Sequence, residues 1–183
     1  QARFNYKKAC HLNAEDSQIY YKIACTYMNE GSWQSAIKQL LIATRVHRMQ
    51  PEYNLALGQC FMNLDNFDEA ITYFGNVIRV RPKNILGWTE LLKCLLAADM
   101  HEEGVEYADF ALEQTDQKPI FLFYKSMFLF ACGKAKEGIV QLENGMAINS
   151  KLIKKFLELD PSILQHPQVV EIIARYKKQR SIR

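Results

Sequence analysis

Residues 54–82 read NLALGQCFMNLDNFDEAITYFGNVIRVRP, and this stretch decides the fold. Apolar residues recur at helical spacing on both sides of a break at Asp65-Asn66. A proline closes the stretch at Pro82, where a helix cannot continue without losing a hydrogen bond. The stretch therefore predicts two short helices joined by a tight turn.

Working outward, the same marks return at a fixed step. Gly31, Asp65, Asp99 and Gly133 are each 34 residues apart. The small residues Ala36, Ala70, Gly104 and Gly138 share that step, as do the apolar residues Tyr27, Phe61, Leu95 and Leu129. Gly and Asp suit turns because they tolerate or locally satisfy the left-handed conformation. Prolines at Pro51, Pro82 and Pro119 punctuate the units. Three sets on one period predict a stack of helical hairpins, since a lone hairpin cannot bury its own apolar face. No alternating strand pattern is present in the sequence.

The second unit resembles the tetratricopeptide repeat family, whose pattern is W-x2-L-G-x2-Y, then A-x3-F, then Pro. Here the residues are Asn54, Leu57, Gly58 and Phe61, then Ala70 and Phe74, then Pro82. The first unit carries Tyr20, Ile23, Ala24 and Tyr27, then Ala36 and Leu40; the third carries Trp88, Leu91, Leu92 and Leu95, then Gly104 and Ala108. The fourth departs furthest, with Lys125-Ser126 in place of the Leu-Gly pair. The resemblance implies an all-α fold, a right-handed α–α superhelix of about four hairpins. Residues 1–12 are expected to be the second helix of a truncated preceding repeat. Four repeats follow at 17–50, 51–84, 85–118 and, degenerate, 119–150. Residues 151–183 lose the phase and are expected to form capping helices and a basic tail.

In this family the first helix of each unit lines the concave, peptide-binding face. The matching positions for a groove are Gln18, Tyr21 and Cys25 in the first unit, and Glu52, Leu55, Gln59, Met62 and Asn63 in the second. In the third they are Thr89, Lys93 and Leu96, and in the fourth Phe123 and Met127. The expected occupant is a peptide or amphipathic helix of another protein. The clamp by which one subfamily holds chaperone carboxyl termini is not matched: Tyr21, Cys25, Ala56, Leu86 and Glu90 occupy its positions.

The chain of 183 residues is 49% apolar and 23% charged, which excludes collagen-like and disordered classes. A net charge of +3 is too mild to argue for nucleic acid, and Lys93 is the single base among the groove positions. No catalytic, nucleotide or metal motif is present, so the expectation is a non-enzyme with no cofactor, no metal and no small-molecule substrate. No segment approaches the apolar length of a membrane span. The five cysteines have no paired spacing and read as reduced, buried thiols, which leans toward a cytoplasmic location. The start Gln1-Ala2-Arg3 has neither Met nor a leader pattern and reads as an internal boundary.

Two further readings stay open. The segment could be the regulatory or docking arm of a larger enzyme or of a secretion or membrane assembly. The apolar fourth unit could also drive homo-oligomerisation, or be covered by the C-terminal helices.

Overall fold

The positive-φ residues fall where the 34-residue step places them. In the computed structural model Gly31, Asp65, Asp99 and Gly133 have φ of 70°, 58°, 56° and 74°. Each follows the end of a helix. After three of them the next amide donates to a carbonyl five residues back: Ser32 to Tyr27 at 2.9 Å, Asn66 to Phe61 at 3.0 Å and Lys134 to Leu129 at 2.8 Å. This satisfies a helix-terminal carbonyl that would otherwise be orphaned. Asp replaces Gly at two of the four turns because its short polar side chain tolerates the left-handed region. Asp116 and Gln117 also have positive φ, 54° and 57°, and lie off the period.

The structure describes residues 16–159 and 161–181. The expected half-repeat at 1–12 lies outside them. All regular structure among the described residues is helical, as the period requires. The helices are α1 Ser17–Asn29, α2 Trp33–Val46, α3 Pro51–Met62, α4 Phe67–Val80, α5 Ile85–Ala97, α6 His101–Gln114, α7 Pro119–Ala131 and α8 Ala135–Asn149. A 3-10 turn at Ser150–Leu152 leads to α9 Ile153–Leu159, another at Pro161–Gln165 leads to α10 Pro167–Ser181. Pro51 and Pro119 open α3 and α7, where a missing amide hydrogen costs nothing.

The chain divides into two compact units, one ending at Ala98 and the other beginning at Asp99. In the first, α1 packs on α2, α3 on α4, and α4 on α5. The buried centre of its first two hairpins is Ala24, Ala36, Leu40, Ala56, Leu57 and Cys60. Close approach is built into Gly58: a Cβ there would sit 2.5 Å from Cε1 of Phe74, a ring that is itself wholly buried. In the second unit α7 packs on both α6 and α8. Gly104 and Gly145 lie against the rings of Phe128 and Phe123 in the same manner.

Two chemically different residues do one job at equivalent positions. Buried Asn54 donates from Nδ2 to the carbonyls of Arg48 and Gln50, both at 2.9 Å, and accepts from Asn76 Nδ2 at 3.0 Å. Trp88, one period later, donates from Nε1 to the carbonyl of Pro82 at 2.7 Å. Each side chain pins the loop six residues upstream. The departure at Lys125-Ser126 is also accommodated. Ser126 Oγ donates to the carbonyl of Gly138 at 2.8 Å across the hairpin, and Lys125 Nζ pairs with Asp109 at 2.6 Å.

Candidate functional site

In the first unit α1 touches α3 and α3 touches α5, so the first helices of successive hairpins are neighbours along one face. Helical spacing then sets which side chains stand on that face. Tyr21, Cys25, Glu52, Leu55, Gln59, Met62, Lys93 and Leu96 are half-buried, and Gln18 and Asn63 are exposed. This is the mixed condition of a surface that holds its side chains yet leaves their tips accessible.

The Tyr21 ring packs against Tyr53 with centroids 5.1 Å apart, and the Tyr53 hydroxyl lies 3.1 Å from Ser17 Oγ. Burial pushes the Tyr21 phenol up to about 12, helped by Cys25, which also shares a hydrogen bond with it, and by the Glu52 carboxylate. The phenol is therefore neutral across the physiological range. Glu52 Oε1 accepts from Arg81 Nη1 at 2.9 Å. Its other oxygen, Oε2, is buried with no hydrogen-bond partner among the described residues. An orphaned carboxylate oxygen is costly unless something donates to it.

Lys93 differs from its expected role. Its Nζ lies 2.8 Å from Oε1 of the buried Glu90, so the groove's single base is neutralised within its own helix. Thr89 is buried and its hydroxyl spends its one donor on the Ile85 carbonyl at 2.7 Å, so burial keeps what acceptor capacity remains out of a ligand's reach. Asn63 donates to the Gln59 carbonyl at 2.8 Å and serves as a helix end.

In the second unit the equivalent side chains are covered. Phe123 is 1% and Met127 2% exposed. The Phe156 ring of α9 meets Phe123 at 5.5 Å, and His166 meets Phe130 at 4.7 Å. As they stand, Phe123 and Met127 are core residues closed to a ligand, because the C-terminal helices lie over the face of α7. The apolar surface on which self-association was expected to rest is the same covered surface.

Sequence reasoning missed the orphaned oxygen of Glu52 and the Glu90–Lys93 pair. The second was within reach: a carboxylate three residues before a lysine on a helix is a standing signal for a pair. A polar recess of ≈ 480 Å³ between the second helices was also missed; Thr44, Arg48, Asp68, Thr72 and Asn76 line it. Cys60 and Cys94 are buried thiols pushed by burial to about 12 and about 11. Among the described residues no cluster of three or more His, Cys, Asp or Glu could hold a metal, and no helix is long and apolar enough to cross a membrane.

Residues 21–82 match the tetratricopeptide repeat model. A peroxisomal targeting signal receptor of Saccharomyces cerevisiae is 34% identical over 86 residues, 46% of this chain and 14% of that protein. The chain thus spans a small part of that relative's length. Among solved structures, MamA superposes with a TM-score of 0.72 at 16% identity, over 83% of each chain. MamA of Desulfovibrio magneticus gives 0.67 at 16% identity, over 90% of this chain and 96% of the other. YrrB, described as a repeat protein with an unusual peptide-binding site, gives 0.67 at 16% identity, over 79% and 75%. At these identities the structural likeness shows the fold: stacked α–α hairpins.

Proposed function

With residues 21–82 belonging to the tetratricopeptide repeat family, we propose that the chain is a non-catalytic scaffold whose first unit takes a peptide or a single helix of a partner protein on the α1–α3–α5 face. One observation carries this reading. Of the register positions that are buried in the second unit, all in the first two hairpins stand half-open, and in the third Thr89 alone of the groove positions is buried; the open ones present hydrogen-bonding groups beside apolar ones. Leu55, Met62 and Leu96 offer apolar contact, and Tyr21 and Gln59 offer polar groups. A bound main chain supplies partners for the polar groups, and alternating side chains would fill the apolar places. YrrB, by its description a peptide binder, and the yeast receptor, by its description a reader of targeting signals, support the reading as analogies.

The test is affinity capture with the wild-type chain and with a Tyr21→Ala/Leu55→Ala/Gln59→Ala variant. Loss of the captured partner in the variant, with helicity unchanged by circular dichroism, is the expected result. Equal capture by both would end the proposal.

A second reading, a docking segment within a larger assembly, is favoured by the short share of the yeast relative that matches. Partners that co-purify as a fixed complex, and not as exchangeable peptides, would select it.

A further inference from the structure

We propose that the C-terminal helices carry a separate docking pocket for an acidic amphipathic helix of a partner protein. In the second unit a cavity of ≈ 400 Å³ opens between α8, α9 and α10. Buried Met146 and Ile173 form its floor, and half-buried Ile153, Leu157 and Tyr176 its walls. Its volume falls in the range of pockets that seat compact ligands or anchoring side chains. Ser150 and two exposed lysines, Lys151 and Lys154, complete the lining, and neither lysine forms an ion pair among the described residues. The neighbouring Arg175 is already engaged by Glu143.

Charge decides the occupant. Residues 151–183 hold eight Lys or Arg against three acids, a net charge of +5, while the rest of the chain is at −2. The acids on α9 and α10 are Glu158 and Glu171, both exposed, and neither lines the pocket. An apolar pocket edged by unpaired cations fits a segment that presents a Leu or Phe anchor with Asp or Glu beside it. Rim charges of this kind steer encounter and set specificity, while the anchor supplies affinity. Nucleic acid would use the cations and leave the apolar floor empty.

The test uses a fluorescein-labelled 14-residue peptide with Leu on one helical face and Glu on the other, titrated with the whole chain and followed by anisotropy. Binding is expected to weaken about tenfold in Lys151→Glu/Lys154→Glu and to fall as salt is raised. Leu157→Gln, at a half-buried wall, is expected to weaken it without the charge change. The Tyr21→Ala/Gln59→Ala variant should bind as the wild type does, which separates this pocket from the face of the first unit. Equal binding of a peptide with Lys in place of every Glu would overturn the proposal. So would unchanged binding by both pocket variants, or tighter capture by phosphatidylglycerol vesicles or a 12-nucleotide RNA than by the acidic peptide.

Discussion

The second and fourth hairpins place their first-helix side chains at identical register positions, one on an open face and one on a closed one. Leu55, Gln59 and Met62 of α3 are half-buried; Phe123, Met127 and Phe130 of α7 are buried. The backbone is the same hairpin in both. What differs is the chemistry at those positions and the presence of α9 and the following 3-10 turn, which bring Phe156 and His166 onto Phe123 and Phe130. A face of three large apolar side chains cannot stand in water without cost, so the chain covers it. A face that mixes Leu, Gln and Met can remain open.

The largest test of this contrast is truncation at matched positions. Phe123→Ala should cost about 3–5 kcal/mol in urea unfolding, since it leaves a cavity between α7, α8 and α9. Leu55→Ala, half-exposed, should cost no more than about 1 kcal/mol. Equal costs would mean that the cover over α7 is not structural. Phe156→Ala should behave like Phe123→Ala, and the two should be non-additive because the rings touch.

Next in size is overpacking, which should be felt in both units alike because both rest on close helix approach. Gly58→Leu forces a side chain into the Phe74 ring and should cost about 1–3 kcal/mol. Gly104→Ala meets Phe128 and should be destabilising too, although Ala normally favours a helix. A Gly104→Ala variant as stable as the wild type would show that the second unit is more loosely packed than the first.

A smaller effect comes from pH. Tyr21, Cys60 and Cys94, all in the first unit, hold their protons to about 12, 12 and 11, against ordinary values of 10 for the phenol and 9 for the thiols. Above pH 9 the unfolded chain sheds protons that the folded chain keeps, so stability falls as pH rises from 9 toward 12. Below pH 9 both states are protonated at these groups and the contribution is fully present. The urea midpoint measured from pH 8 to 11 should decline across that range. Iodoacetamide at pH 9 should leave Cys60 and Cys94 unmodified in the native chain and label them in urea.

Much of this contrast could be read from the residues alone. The period was legible because each turn needs a left-handed residue, and only Gly and Asp recur there. Helix boundaries followed from the same marks and from prolines. The turn at Asp116-Gln117 was not legible, since Gln carries no signal for positive φ. Nor was the role of Asn54, because an asparagine where the family has tryptophan reads as a loss until its amide is seen pinning Arg48 and Gln50. The groove was legible as positions and not as states. Nothing in the residues around Thr89 says that its hydroxyl is spent on Ile85, and nothing near Phe123 says which later residue covers it.

The smallest expected change in stability is also the most informative about the open face. Tyr21→Phe removes one hydroxyl and keeps the ring on Tyr53, so the urea midpoint should move by less than about 1 kcal/mol equivalent. Gln59→Ala removes a half-exposed amide and should likewise be nearly silent, within about 0.5 kcal/mol. If the face binds a polypeptide, these two variants should still lose affinity, because each removes a donor that a bound main chain would use. A face that served only as an inert surface would show neither effect. The decisive outcome is therefore a separation of two readouts at the same residues, folding unmoved and binding weakened. The covered hairpin should show the opposite pairing: Phe123→Ala moves folding and leaves the affinity of the first unit's peptide unchanged.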